Sequence, residues 1–109
     1  MLKEFILRYL FANSFELTMQ IRQTVKENNN HVKNVYQKHF NCGYKPEGLI
    51  LAEMEIGPEG KIISVEINQN DFDKAFEKKI TESIKKWSFH NVHVRRSIRV
   101  EVPFYFGCL

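Results

Sequence analysis

The chain has 109 residues, enough to enclose one hydrophobic core and build one domain. Its 43% apolar and 13% aromatic content excludes a disordered chain, and its two cysteines exclude a disulfide scaffold or a cysteine-rich zinc module. A net charge of +3 falls short of the dense basic stripe of most nucleic-acid binders, and no run approaches the roughly 20 apolar residues of a membrane helix.

Residues 1–16 form an N-terminal amphipathic segment. Leu2, Phe5, Ile6, Tyr9 and Leu10 recur at helical spacing before Ala12-Asn13-Ser14, so the spacing predicts a short helix; the same run also passes as a short strand. Lys3, Glu4 and Arg8 interrupt it and no small-residue cleavage site follows, which makes it a poor signal peptide. In a piece of a longer protein, any targeting or membrane segment would lie upstream.

Residues 17–109 carry the domain proper. Leu17, Ile21, Val25, Val32, Val35, Tyr36 and Phe40 define one apolar stripe, which predicts a long helix. Asn28-Asn29-Asn30, poor helix formers, should weaken or kink it, and Gly43 with Pro46 should end it. From Gly48 to Ile67 two apolar-alternating runs flank Gly57-Pro58-Glu59-Gly60, the pattern of an antiparallel hairpin with a tight turn. The paired Ile62-Ile63 breaks the alternation and predicts a bulge. After a polar link at 68–71, Asp73 should cap a second helix whose Phe76, Ile80, Ile84 and Trp87 share one face. Ile98, Val100, Val102, Phe104 and Phe106 then alternate with Arg99, Glu101, Pro103 and Tyr105 in a third strand.

Helix, strand, strand, helix, strand is the order of an α+β two-layer sandwich with two helices on one face of the sheet. The crossover through the second helix makes the third strand parallel to the second. It therefore belongs beside the first, giving a three-stranded, antiparallel-type mixed sheet of order 2-1-3. Pro103 agrees with an edge position for the third strand.

The candidates for chemistry are sparse. His90 and His93 form an H-x-x-H pair, but zinc needs three or four ligands and neither cysteine is near in sequence. His31 and His39 fall eight residues apart on the first helix and read as surface or boundary residues. Cys42 with His39 lacks an orienting acid and an oxyanion hole, so no catalytic residue, metal or cofactor is expected. Phe104 and Phe106 alternate with Tyr105, which leaves too small an open-face aromatic platform for stacking bases. Nucleic acid is therefore not an expected partner.

The ordered set from Gly48 to Phe106 resembles the C-terminal domain of TonB, the periplasmic energy transducer of Gram-negative bacteria. The features that carry it are Gly48 opening a strand, the Pro58–Gly60 turn, "FEKKITESIKKWSF" at Phe76–Phe89 and "VPFYF" at Val102–Phe106. Upstream, Ile21, Val25, Val32, Tyr36 and Phe40 are similar to the branch named after AgmX and PglI. The match covers roughly residues 17–106. It departs at Tyr44-Lys45-Pro46, where typical members carry Tyr-Pro, at His90-Asn91, where a proline often stands, and at Val35, where the AgmX-like branch often carries cysteine.

The resemblance implies a non-enzymatic periplasmic module, at the end of an inner-membrane-anchored protein, that binds an extended segment of an outer-membrane receptor. The segment would add a strand to the open edge of the third strand, while upstream parts of such proteins reach inner-membrane motor proteins. Arg99, Glu101, Pro103 and Tyr105 would then meet the partner. Arg95 and Arg96 form with Arg99 a basic cluster, read either as a solvated loop or as steering for an acidic segment. The 2-1-3 order brings the ends bearing Cys42 and Cys108 together, which in an oxidising periplasm admits a disulfide, against two independent thiols. An exposed edge also admits a homodimer. The alternative function is a structural or assembly domain of an envelope machine, of TolA-like or gliding-motility type, which shares the fold and differs in partner.

Overall fold

The computed structural model describes residues 8–9, 15–40 and 46–107. In chain order these form β1 (Arg8–Tyr9), α1 (Phe15–Glu27), α2 (Asn29–His39), β2 (Gly48–Ile56), β3 (Ile62–Asn70), α3 (Lys74–Lys85) and β4 (Ile98–Phe106). Cys42, Gly43 and Cys108 lie outside the described residues, and with them the disulfide question.

The predicted long helix breaks at Asn28. Its side-chain amide donates to the Thr24 carbonyl (2.9 Å), and its backbone N–H reaches the same oxygen (3.1 Å). The backbone bond is the last i→i−4 rung of α1, the extra side-chain donor competes for the same oxygen, and the chain restarts at Asn29 as a second helix with the Asn28 carbonyl accepting from His31 N–H (3.1 Å). Ile21 and Val25 on α1 and Val32 and Tyr36 on α2 are nevertheless all fully buried, so one apolar stripe runs through the break.

β2 is the central strand of the main sheet and pairs antiparallel with both β3 and β4, so the three run in the order β4-β2-β3. This is the α+β two-layer sandwich of order 2-1-3 expected from the sequence. Ile50, Ala52, Met54 and Ile56 of β2 and Ile98, Val100, Val102, Phe104 and Phe106 of β4 face the helices and are buried. Phe76, Ile80 and Ile84 of α3 join them in one core. At one end Tyr36 stacks on Phe106 (ring centres 5.0 Å apart, 16° between planes) and donates its hydroxyl to the Pro46 carbonyl (2.7 Å). A buried phenol with a satisfied hydroxyl keeps the packing gain of its ring without leaving a polar group stranded.

β3 carries two bulges. Glu55 pairs with Ser64 and Ile56 with Ile62, leaving Ile63 as the extra residue, 58% exposed. Leu51 pairs with Gln69 and Ala52 with Ile67, leaving Asn68 unpaired. The expected polar link at 68–71 is thus largely strand: β3 continues through Asn70, and Asp71 closes it by accepting from Leu49 N–H (2.9 Å). Gly48, opposite this closure, has no room for a side chain, since a Cβ would meet Asp71 Cβ at 2.8 Å.

Asp73 caps α3 by accepting from Phe76 N–H (2.7 Å). His39, the last residue of α2, lies against the same carboxylate (Nε2 3.1 Å from each oxygen) while its Nδ1 accepts from Lys79 Nζ (3.0 Å). The end of α2 is thereby fastened to the start of α3. The Phe76 N–H first, and the His39 hydrogen bond second, hold the Asp73 carboxyl below its ordinary value.

One expectation is corrected at the N-terminus. Arg8 and Tyr9, read as part of a short helix, are a two-residue strand that pairs antiparallel with β4, Arg8 opposite Glu101 and Tyr9 opposite Val100. The sheet has four strands among the described residues, in the order β1-β4-β2-β3. An edge strand offers unpaired N–H and C=O groups, and a run whose pattern admits both helix and strand is drawn into pairing with them.

Candidate functional site

The sequence directs attention to β4 and to Arg99, Glu101, Pro103 and Tyr105 on its outer face. The register places them opposite Glu55, Glu53, Leu51 and Leu49 of β2, on the side of the sheet away from the helices. They divide into two unlike halves.

At the turn end the face is charged. Arg99 donates from Nη1 to Glu53 Oε2 (2.8 Å), with Nη2 lying 3.9 Å from Glu55 Oε1. Ser97 Oγ donates to Glu55 Oε2 (2.8 Å). Glu101 stands directly across from Glu53, a like-charged pair that would repel. Asn68 lies between them and donates its amide to Glu53 Oε1 (3.1 Å) and Glu101 Oε2 (3.4 Å). The β3 bulge that frees Asn68 from pairing turns its side chain onto this face. Arg99 is therefore ion-paired with Glu53 on this face, with its side chain 46% exposed.

At the other end the face is apolar. Pro103 is buried opposite a half-buried Leu51, and Tyr105 is half-buried opposite a half-buried Leu49. Phe104 and Phe106 point the other way into the core, as their alternation requires. Tyr105 is the single aromatic ring of β4 on the open face.

Arg95 and Arg96 are exposed in the loop that leads into β4. That loop is tied to the hairpin turn, with Val94 N–H donating to the Pro58 carbonyl (3.3 Å) and Phe89 N–H to the Gly60 carbonyl (2.8 Å). The two arginines thus precede β4 in sequence, in an exposed loop.

The edge itself is partly taken. β1 pairs at Val100 and Glu101, the middle of the stretch expected to receive a partner. The sequence admits the N-terminal run as a short strand but does not select this pairing, since the two described residues leave no periodicity to read. Sequence reasoning missed Asn68 as a bridge, although the alternation of Glu53 and Glu55 had already placed carboxylates on this face.

His90 and His93 are exposed, and among the described residues no group of three or more His, Cys, Asp or Glu is arranged to hold a metal ion. No helix among them is long and apolar enough to cross a membrane. No protein-family model, curated protein or solved structure matches the chain.

Proposed function

We propose that this chain is a non-enzymatic protein-binding domain that receives an extended peptide by strand addition at the β4 edge. In the fuller form of the reading it is the periplasmic end of a TonB-like energy transducer. Its partner is then a segment of an outer-membrane receptor, and upstream sequence engages inner-membrane motor proteins. The observation that carries the reading is the pairing of β1 with β4: this edge accepts an antiparallel strand by backbone pairing. Among the described residues β1 pairs with two of the nine residues of β4, and an extended peptide pairing along the whole strand would make a longer ladder. The apolar half of the outer face, with Leu51 and Tyr105, gives such a peptide a place for alternate side chains.

The same pairing favours a second reading. If β1 belongs permanently to the sheet, the domain is a closed structural or assembly unit of an envelope machine. A backbone amide titration with extended peptides from outer-membrane receptors separates the two. Receptor binding shifts amides along Arg99–Phe106. A structural unit leaves them unmoved, with Val100 and Glu101 slow to exchange.

A further inference from the structure

The outer face of the sheet carries a row of like charges that crosses three strands. Glu66 of β3 stands opposite Glu53 of β2, and Glu53 stands opposite Glu101 of β4. Carboxylates placed directly opposite one another repel, so such a row costs stability unless donors and cations answer it. Glu53 is answered from within the sheet, by Arg99 Nη1 (2.8 Å) and the Asn68 amide (3.1 Å). Glu101 ends the row at the β4 edge, where its contact with the same amide is longer (3.4 Å). The strand that meets it there sets an arginine opposite it: β1 runs antiparallel to β4 with Arg8 against Glu101.

Two residues further along β4 the same face changes character. Pro103 is buried, and its β2 neighbour Leu51 is half-buried. One pleat repeat, about 7 Å, thus separates a position that suits a cation from one that suits an apolar side chain.

Resting on the strand-addition reading above, we propose that the β4 edge selects an antiparallel peptide by an apolar–any–basic triplet. The basic residue lies opposite Glu101, in the register position of Arg8, and the apolar residue two places before it lies opposite Pro103. The cation completes the row of charges, whereas an acidic residue there would lengthen it to four carboxylates. The triplet also fixes register and direction. A slip of one residue turns both side chains to the other face, and a slip of two sets the cation against Pro103. A parallel peptide would need the reverse order, basic–any–apolar.

The full chain is titrated with three blocked heptapeptides and followed by its backbone amide signals. The first is acetyl-Thr-Thr-Val-Thr-Arg-Val-Thr-amide. The second replaces the arginine with glutamate, and the third exchanges the arginine with the valine two places before it. The expected result is shifts along Arg99–Phe106, with the first peptide bound about fivefold more tightly than the second and more tightly than the third. The chain's net charge of +3 would draw the acidic peptide instead, so general attraction cannot produce this order. Glu101→Gln should level the first two peptides, and Glu101→Lys should reverse their order. The proposal is overturned if those two bind the unaltered chain equally, if the exchanged peptide binds as well as the first, or if Glu101→Lys keeps the original order. Strand addition itself survives each of these results while the β4 amides shift. If no peptide moves those amides, strand addition fails and the proposal falls with it.

Discussion

At Gly60 the backbone leaves no place for a side chain. Its φ is +83°, and a Cβ there would come within 2.1 Å of the Phe89 carbonyl oxygen, which is fixed by the adjoining Phe89 N–H to Gly60 hydrogen bond. Gly60→Ala should therefore cost about 2–3 kcal/mol, beyond the penalty of positive φ alone, seen as a lowered midpoint in urea unfolding with an unchanged slope. Asp73 acts differently, through its charge and its cap. Asp73→Ala should lose about 1 kcal/mol of capping. Because the folded state holds this carboxyl below its unfolded value of 3.8, its contribution is complete above that pH and is lost as pH falls through the folded value. Asp73→Asn keeps the cap and removes the titration, so its stability should vary less with pH below about 4 than that of the unaltered chain. Both roles were half-legible in the sequence. The turn glycine and the cap were readable from local chemistry, whereas Phe89 and His39 as partners lie 29 and 34 residues away and leave no local signal.

Among the elements, those with a sustained period were readable and those without one were not. The Leu17–Phe40 stripe, the Gly48–Ile56 alternation and the Ile98–Phe106 alternation each bury the face that their spacing selects. Even the Ile62-Ile63 irregularity appears as a bulge at Ile63. The second bulge, at Asn68, was not legible: it sits where a polar run reads as a loop, and its role is to place an amide between Glu53 and Glu101. Asn68→Ala should remove the amide that bridges those two carboxylates. A loss of about 0.5–1 kcal/mol is expected at low salt, shrinking as added salt screens the pair. β1 was the least legible element, because two paired residues owe their conformation to β4 and not to their own sequence. Replacing Arg8 and Tyr9 with proline should remove the pairing, and hydrogen exchange should quicken at the one N–H of the Val100–Glu101 pair that faces β1, the other facing β2.

For the whole molecule, one core joins both layers, and Phe76 joins the aromatic cluster at its Tyr36–Phe106 end. It touches the rings of Tyr36, Phe40, Phe72 and Phe106, all within 6.1 Å between centres. Phe76→Ala should cost about 3–5 kcal/mol and unfold a domain of this size near physiological temperature, readable by thermal melting. The layout that the core enforces also sets what the molecule can do. Helices close one face of the sheet and β2 lies between two neighbours, which leaves a strand-adding partner the sheet edges and the outer face. The fold was legible because a single amphipathic sheet and its helices have few arrangements; the partner was not, because strand addition is read from backbone groups that every sequence carries.

The most direct test compares the unaltered chain with the Arg8→Pro/Tyr9→Pro variant in an amide titration with one receptor-derived extended peptide. The account predicts shifts concentrated on Arg99–Phe106 in both proteins. It also predicts binding about fivefold tighter in the variant, since the peptide no longer has to displace β1. Shifts absent from β4 in both proteins would contradict it, and would leave β1 as a fixed part of a closed structural domain.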